Sequence, residues 1–413
     1  MTFHIVCIGE PLAEISRQKP ELSVGLGGDT LNTAIYCARG VQGQDVAVHY
    51  VTAIGQDVLS NSMVELMQSE GIGTNYVTRD PHRQIGIYAI QNDDQGERSF
   101  HYWRDASAAR EMFRTETSPH LEAIKEADLA YLSGITLAIL TQDARDRLWD
   151  ALAERRKSGL LVAFDSNYRP KLWETPEIAR REIARFWEIS DIALPSQEDE
   201  VDLFGDRDNA AIVDRILASG EKSGALKCGA DGPVPLPLSA TTQVFAAVES
   251  VVDTTGAGDS FNGAYLAAIV CKKTHNTALV SAHDLACRVV GHQGAILPKT
   301  QPVTPQRMGS VIQLKPEHLD EYKRLHADVW PGVLQRLRSS NFSNYSIYLK
   351  HPECLMFGYF EYTGSDFAAD NAAIAADPIT KDWWAVCGPM QEPFETRADG
   401  EWWAEMEEVF HLD

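Results

Sequence analysis

The chain has 413 residues, a formal net charge of −22, 44% apolar residues and 23% charged residues. That length calls for two or three domains, and the composition is the ordinary globular mix with no reason for disorder. A strongly acidic protein repels phosphate backbones and anionic lipid, so no nucleic acid and no membrane partner is expected, and an anionic small substrate would need a locally basic pocket. The seven cysteines, at 7, 37, 228, 271, 287, 354 and 387, form no CxxC pair, and their odd number points to reduced thiols and a cytoplasmic location. The apolar stretch 3–9 is too short for a signal-peptide core, and no run approaches the ~18 apolar residues of a membrane span.

In chain order, the pattern predicts a strand at 3–9, a glycine loop through Gly25, Gly27 and Gly28, and a helix at 30–39. A strand at 46–54 and a helix at 61–70 follow, then a hairpin of 85–92 and 97–103 around Asp93-Asp94-Gln95-Gly96. From Leu129, short apolar runs (129–133, 160–164, 191–194, 225–227) alternate with amphipathic helical stretches, which signals an α/β fold with a parallel sheet flanked by helices. Two more helices are expected at 260–271 and 277–292. The polar stretch 299–309, flanked or interrupted by Pro298, Pro302 and Pro305, lacks periodicity and has the character of a linker. We therefore expect one domain over 1–300, a linker at 301–309 and a second domain over 310–413. The second has a strand at 310–314, a helix at 316–329, strands at 344–350 and 354–362, a helix at 366–376 and a last strand near 406–412, the βαββαβ order of an α+β ferredoxin-like unit.

The strongest chemical signal is the run Asp253-Thr254-Thr255-Gly256-Ala257-Gly258-Asp259-Ser260-Phe261-Asn262-Gly263-Ala264. We expect a strand ending at Val252, a glycine-rich turn and a helix start. Backbone N–H groups at such a junction converge and bind negative charge without a basic side chain. Gly256, Ala257 and Gly258 would form an anion hole for a transferred phosphoryl group, and Asp259 would take the proton of a substrate hydroxyl. A lone GxGD is more often a capped turn, and the Walker pattern GxxxxGK[ST] is absent.

The full run, however, is similar to the signature of ribokinase-type (PfkB) sugar kinases, and the resemblance covers 3–299. It implies a ribokinase-like sheet with a small β lid. Three further blocks resemble 2-keto-3-deoxygluconate kinases (2-dehydro-3-deoxygluconokinases) in particular: 96–104 (GERSFHYWR), 131–135 (YLSGI) and 165–173 (DSNYRPKLW). By that similarity Gly28, Asn32, Tyr88, Tyr102, Arg104 and Arg169 would hold the substrate. A keto-deoxy sugar acid carries a carboxylate, which guanidinium groups grip by paired hydrogen bonds. For ATP, the resemblance points to Ser196, Lys227, Gly229 and Asp253, with Asp199 touching Mg²⁺ weakly, through water. Ser196 and Asp199 stand where the family has Asn and Glu, and Cys228 stands where its closest members often have a basic residue.

In the C-terminal unit, Tyr322 and His326 are four apart on an expected helix over 320–331 and share one face. With 344–349 (NYSIYL) and 381–384 (KDWW), this block resembles L-rhamnose mutarotases. The resemblance implies that Tyr322, Tyr345, Trp383 and Trp384 line a sugar site, with His326 as its catalytic acid. Mutarotation opens and recloses a cyclic hemiacetal, which needs a proton moved between two oxygens, and a neutral-range imidazole suits that. Indole rings offer flat platforms to the C–H face of a sugar. The expected function is thus bifunctional: a sugar-acid kinase and an anomer-interconverting enzyme, with a homodimer implied by both families. The alternative is a kinase whose C-terminal unit is only a dimerisation or sugar-binding module.

Overall fold

We describe a computed structural model, covering residues 2–18, 21–92, 98–238, 245, 248, 250–299 and 305–412. The chain divides into two compact units, Met1–Leu297 and Pro298–Asp413.

The first unit is built on an eight-stranded sheet in the order Pro233–Leu236, Ser223–Lys227, Ile192–Ala193, Leu161–Asp165, Leu129–Ser133, Phe3–Ile8, Val46–Ile54, Gly73–Arg79. All neighbours are parallel except the Pro233–Leu236 strand, which is antiparallel to its neighbour. Strand side chains alternate between faces, and here both faces are covered. Val6, Ile8, Ala130, Leu132, Val162 and Phe164 belong to one buried cluster, while Ile5, Cys7, Leu129, Tyr131 and Ala163 belong to another. Continuous apolar strands are what a doubly covered parallel sheet requires. A separate four-stranded sheet joins Glu21–Gly27, Leu12–Gln18, Gly86–Asn92 and Arg98–Trp103 in that order.

Two local expectations are corrected, and one lies outside the described residues. Residues Glu21–Gly27 form a strand paired with Leu12–Gln18, where a glycine loop was expected; pairing across the hairpin outweighs the poor strand propensity of Gly25 and Gly27. No strand is found at Val251–Val252 among the described residues; the Val252 and Asp253 N–H groups instead donate to the Val290 carbonyl at the end of the helix His275–Val290. The tip of the expected hairpin at 93–97 lies outside the described residues, although its two strands pair antiparallel as expected.

The second unit has an antiparallel sheet ordered Phe342–Lys350, Leu355–Tyr362, Gln306–Leu314, with Gln391–Glu392 and Ala404–Met406 sharing the far edge of Gln306–Leu314. That is the ferredoxin-like order. The strand Gln306–Leu314 begins within the stretch assigned to the linker, because its alternate residues pair along the length of Leu355–Tyr362. The expected helices are found at Leu319–Ala327 and Phe367–Ala376, and each is followed by a second helix that was not expected, Pro331–Ser339 and Pro378–Cys387. Pro331 and Pro378 cause the breaks, since proline is accepted in a first turn and disrupts a helix interior. Trp383 and Trp384 lie on the helix Pro378–Cys387. The last strand is Ala404–Met406, earlier than expected.

Candidate active sites

In the first unit the functional side chains gather at the carboxyl ends of the parallel strands, where ligands bind in open α/β sheets. Ser133, Asp165 and Lys227 end three strands, and Glu10 follows a fourth. The helix Ala257–Val270 starts beside them. Its cap, Gly256, has φ 76°, and a Cβ there would lie 2.6 Å from that of Ala295, so only glycine fits this turn. The Ala257 N–H already turns onto the Thr254 carbonyl at 3.3 Å; a helix start leaves its other first-turn N–H groups without intrahelical acceptors.

Asp259 lies in that first turn, and its Oδ2 accepts from Asn32 Nδ2 at 2.8 Å. Its pKa is pushed up to about 7, first by desolvation and then by Asp29 and Asp165, against the Asn32 hydrogen bond and the Lys227 charge. Asn32 is held by the helix Asp29–Gly40, whose cap Gly28 has φ 133° and would put a Cβ 2.5 Å from the Glu10 carbonyl oxygen. Asp29 accepts from Ser133 and from Asn167 (3.1 Å), and burial raises its pKa.

Lys227 Nζ donates to Asp165 Oδ2 (2.6 Å) and to Asn262 Oδ1 (3.1 Å), while Asn262 Nδ2 donates to Asp165 Oδ2 (2.7 Å) and Tyr131 Oη (3.0 Å). A Cβ on Gly258 would lie 3.7 Å from Lys227 Nζ, so this ammonium sits under the glycine turn. Ser196 bridges to Lys227 across the backbone, Asp199 accepts from Arg169 at 3.0 Å, and Gly229 begins a short 3₁₀ turn. Asp253 spans a loop: Oδ1 accepts from Thr255 N and Oγ1, and Oδ2 from Gly294 N. Both Asp253 oxygens are thus engaged in holding the glycine turn.

The two arginines do not share one environment. Arg104 is 4% exposed and pairs through Nε and Nη2 with Glu10 Oε2, itself 1% exposed. Arg169 is half exposed and binds Asp199 and the Tyr168 carbonyl. On the small sheet Tyr88 and Tyr102 are directly opposed, with ring centroids 6.0 Å apart, and Tyr88 donates to Glu14. Glu10, Asp29, Asp165 and Asn262 were absent from the predicted site. Asp165 and Asn262 lie inside quoted motifs, whereas Glu10 carries no local signal beyond ending an apolar strand.

In the second unit a cleft of about 1150 Å³ is lined by all five predicted residues, Tyr322, His326, Tyr345, Trp383 and Trp384. Tyr322 and His326, one helical turn apart, stack with centroids 4.0 Å apart, and His326 meets the Trp383 ring edge-on at 5.2 Å. His326 Nδ1 lies 3.0 Å from the Tyr322 carbonyl oxygen. A carbonyl only accepts, so Nδ1 carries the proton and Nε2 is the titrating atom. Burial lowers the His326 pKa, opposed by that hydrogen bond. The cleft is also lined by Gln391 and Trp402.

Fold and sites together define a phosphotransferase-type α/β unit followed by a sugar-cleft ferredoxin-like unit. The chain belongs to the pfkB family of carbohydrate kinases, whose family model matches residues 3–302. The L-rhamnose mutarotase family model matches residues 307–412, so the chain is a carbohydrate kinase joined to a mutarotase domain. Residue for residue, it is 37% identical over 309 residues to the 2-dehydro-3-deoxygluconokinase of Escherichia coli K12, covering 72% of this chain and 98% of that one. It is 38% identical over 302 residues to the enzyme of that name from Dickeya dadantii, covering 72% and 97%. Among solved structures, the Thermotoga maritima 2-dehydro-3-deoxygluconokinase aligns with TM-score 0.62 at 21% identity over 72% of this chain and 95% of its own. An Escherichia coli protein described as a candidate ribokinase II, solved with ATP and Mg²⁺, aligns with TM-score 0.60 at 21% identity, covering 71% and 94%. Among the described residues no helix is long and apolar enough to cross a membrane.

Proposed function

We propose that the first unit transfers the γ-phosphoryl group of MgATP to a hydroxyl of 2-keto-3-deoxygluconate or a similar keto-deoxy sugar acid. The observation that carries this is the Asn32–Asp259 hydrogen bond at a glycine-capped helix start. Asp259 takes the hydroxyl proton, the freed oxygen attacks the γ-phosphorus in line, and the bond to ADP breaks. Phosphoryl transfer needs positioning and charge neutralisation above all. The amides of the cap Gly256 and of Gly258 in the first turn, with the Lys227 ammonium beneath, supply part of that charge. Arg104, with Nη1 left over from its pairing with Glu10, meets the substrate carboxylate, and Arg169 reaches it by exchanging Asp199 for the ligand.

Mg²⁺ arrives as part of the nucleotide substrate. Among the described residues no three His, Cys, Asp or Glu side chains form a metal cage. Three carboxylates, Asp29, Asp165 and Asp259, bear on one another here, which disfavours free ATP and favours its magnesium complex.

The second unit, in this reading, interconverts the anomers of L-rhamnose or a similar sugar, with His326 as the acid/base and Tyr322, Tyr345, Trp383 and Trp384 around the sugar. In the simplest scheme the two activities are not consecutive on rhamnose, because a keto-deoxy acid made from rhamnose carries a methyl group where a gluconate-derived acid has its 6-hydroxyl; either the mutarotase takes another sugar, the kinase phosphorylates another position, or the fusion only couples expression. We place the protein in the cytoplasm as a homodimer, readable by light scattering. An ATP-consumption assay over keto-deoxy acids and saturation-transfer NMR between rhamnose anomers test the two sites. Asp259→Asn abolishes phosphorylation and spares anomer exchange, and His326→Ala does the reverse. If either folded variant loses both, the two-site reading is wrong. If wild type shows no exchange above buffer, the C-terminal unit is a binding or dimerisation module.

A further inference from the structure

The direction of the hydrogen bonds around Tyr322 is fixed by one group that cannot accept. Trp402 Nε1 lies 2.6 Å from Gln391 Oε1, and an indole N–H only donates. The amide oxygen of Gln391 therefore faces Trp402, and its NH₂ faces the Tyr322 hydroxyl oxygen at 3.2 Å. Because that oxygen accepts from Gln391, its own proton is directed at a third partner. Tyr322 is 5% exposed and Gln391 8%, so packing holds both, and both line the cleft beside His326. His326 presents the opposite polarity: its Nδ1 proton is spent on the Tyr322 carbonyl, and Nε2 offers a lone pair.

We infer that Gln391, clamped by Trp402, is a positioning residue of the mutarotase site that holds the Tyr322 hydroxyl as a donor toward the ring oxygen of a bound cyclic sugar. This rests on the mutarotase reading and deepens it. In the reaction His326 Nε2 takes the anomeric hydroxyl proton, C1 becomes a carbonyl, and the bond from C1 to the ring oxygen breaks. The Tyr322 O–H steadies the resulting alkoxide until the imidazolium returns the proton to it. Burial raises the Tyr322 pKa, so the hydroxyl keeps its proton and acts as a fixed donor. His326 is then base first and acid second, where the sequence resemblance gave it only as an acid. Nothing in the sequence joins residue 391 or 402 to residue 322; the strand pair of Gln391–Glu392 with the end of Gln306–Leu314 brings them together.

The test is Gln391→Glu, with Gln391→Met and Trp402→Phe beside it, all read as anomer exchange by saturation-transfer NMR and as near-UV circular dichroism. An introduced carboxylate accepts from both Trp402 and Tyr322, which reverses the Tyr322 proton. We expect kcat for exchange to fall about tenfold at neutral pH, the worth of one directed hydrogen bond, with KM nearly unchanged. As pH falls and the carboxyl protonates, it donates again and the rate recovers. Recovery is possible because the His326 pKa is lowered, so Nε2 stays a base into mildly acid conditions. Charged and titratable groups around the cleft are His326, Tyr345, Cys387, Lys315, Glu401 and Glu405, and the Gln391→Met profile subtracts their effect. A folded Gln391→Glu protein with the wild-type rate, or with no acid recovery beyond that of Gln391→Met, overturns the inference. If Gln391→Glu does not fold, Trp402→Phe decides: kcat reduced about threefold at constant KM is expected, and an unchanged kcat overturns it. A wild-type protein without exchange overturns the mutarotase reading and this inference together.

Discussion

Asn32 Nδ2 donates to Asp259 Oδ2 at 2.8 Å across 227 positions of chain. The bond aims the carboxylate and favours its charged form, against burial and the neighbouring Asp29 and Asp165. Asn32→Ala removes a side-chain hydrogen bond that lowers the Asp259 pKa. The acid limb of kcat/KM for phosphorylation should move to higher pH, and the rate at neutral pH should fall by roughly 10- to 100-fold, part of what a positioned base supplies. Steady-state kinetics across pH check this; an unmoved acid limb contradicts it.

Asp259 also links stability to pH. Its folded pKa, about 7, lies above its ordinary value of 3.8. The folded state therefore holds this proton more tightly, and the stabilisation is present at acid pH and lost as pH rises through about 7. Asp259→Asn should accordingly raise the Tm above neutral pH and leave it nearly unchanged near the ordinary carboxyl pKa. Calorimetry at both pH values, beside the loss of kinase activity, reads this trade of stability for function.

The Arg104–Glu10 pair is buried on both sides, at 4% and 1% exposure. Breaking such a pair by removing one partner costs ~3–5 kcal/mol, because an uncompensated charge stays behind, whereas removing both is far milder. Glu10→Met and Arg104→Met should each destabilise more than the double variant, a large coupling in a denaturant double-mutant cycle. Arg104→Lys should weaken binding of a sugar acid more than of a neutral sugar, since an ammonium cannot bond Glu10 and a ligand carboxylate with one planar fork.

Gly256→Ala places a side chain at φ 76° and 2.6 Å from the Ala295 Cβ. The backbone strain alone is ~1–3 kcal/mol, and the clash moves the turn that presents the first-turn amides. Kinase kcat should drop at least ~10-fold, the lower end for a lost oxyanion-type donor, while anomer exchange by the second unit is unaffected.

His326 should set the acid limb of anomer exchange. Burial lowers its pKa from the ordinary 6.5, so the neutral base persists below that value and exchange should decline only in more acid solution. A rate that halves at or above the ordinary imidazole pKa would contradict the buried, Nδ1-protonated imidazole.

Much of this protein is dictated by local chemistry that a sequence carries openly. Gly256 and Asp259 announce a helix start built for an anion, because only glycine takes the left-handed cap and the carboxylate follows in the first turn. Tyr322 and His326 announce one helical face, because four residues make one turn. The alternation of apolar runs and helices from Leu129 announces the parallel sheet. What the tertiary structure alone decided is pairing. Asn32 finds Asp259, Glu10 finds Arg104, Arg169 finds Asp199, and Gln391 finds Tyr322 only after elements separated in sequence pack together. Period and propensity depend on neighbours within a few residues, whereas the partner of a buried charge or amide is chosen by the packing of the whole unit and leaves no trace beside it in the chain.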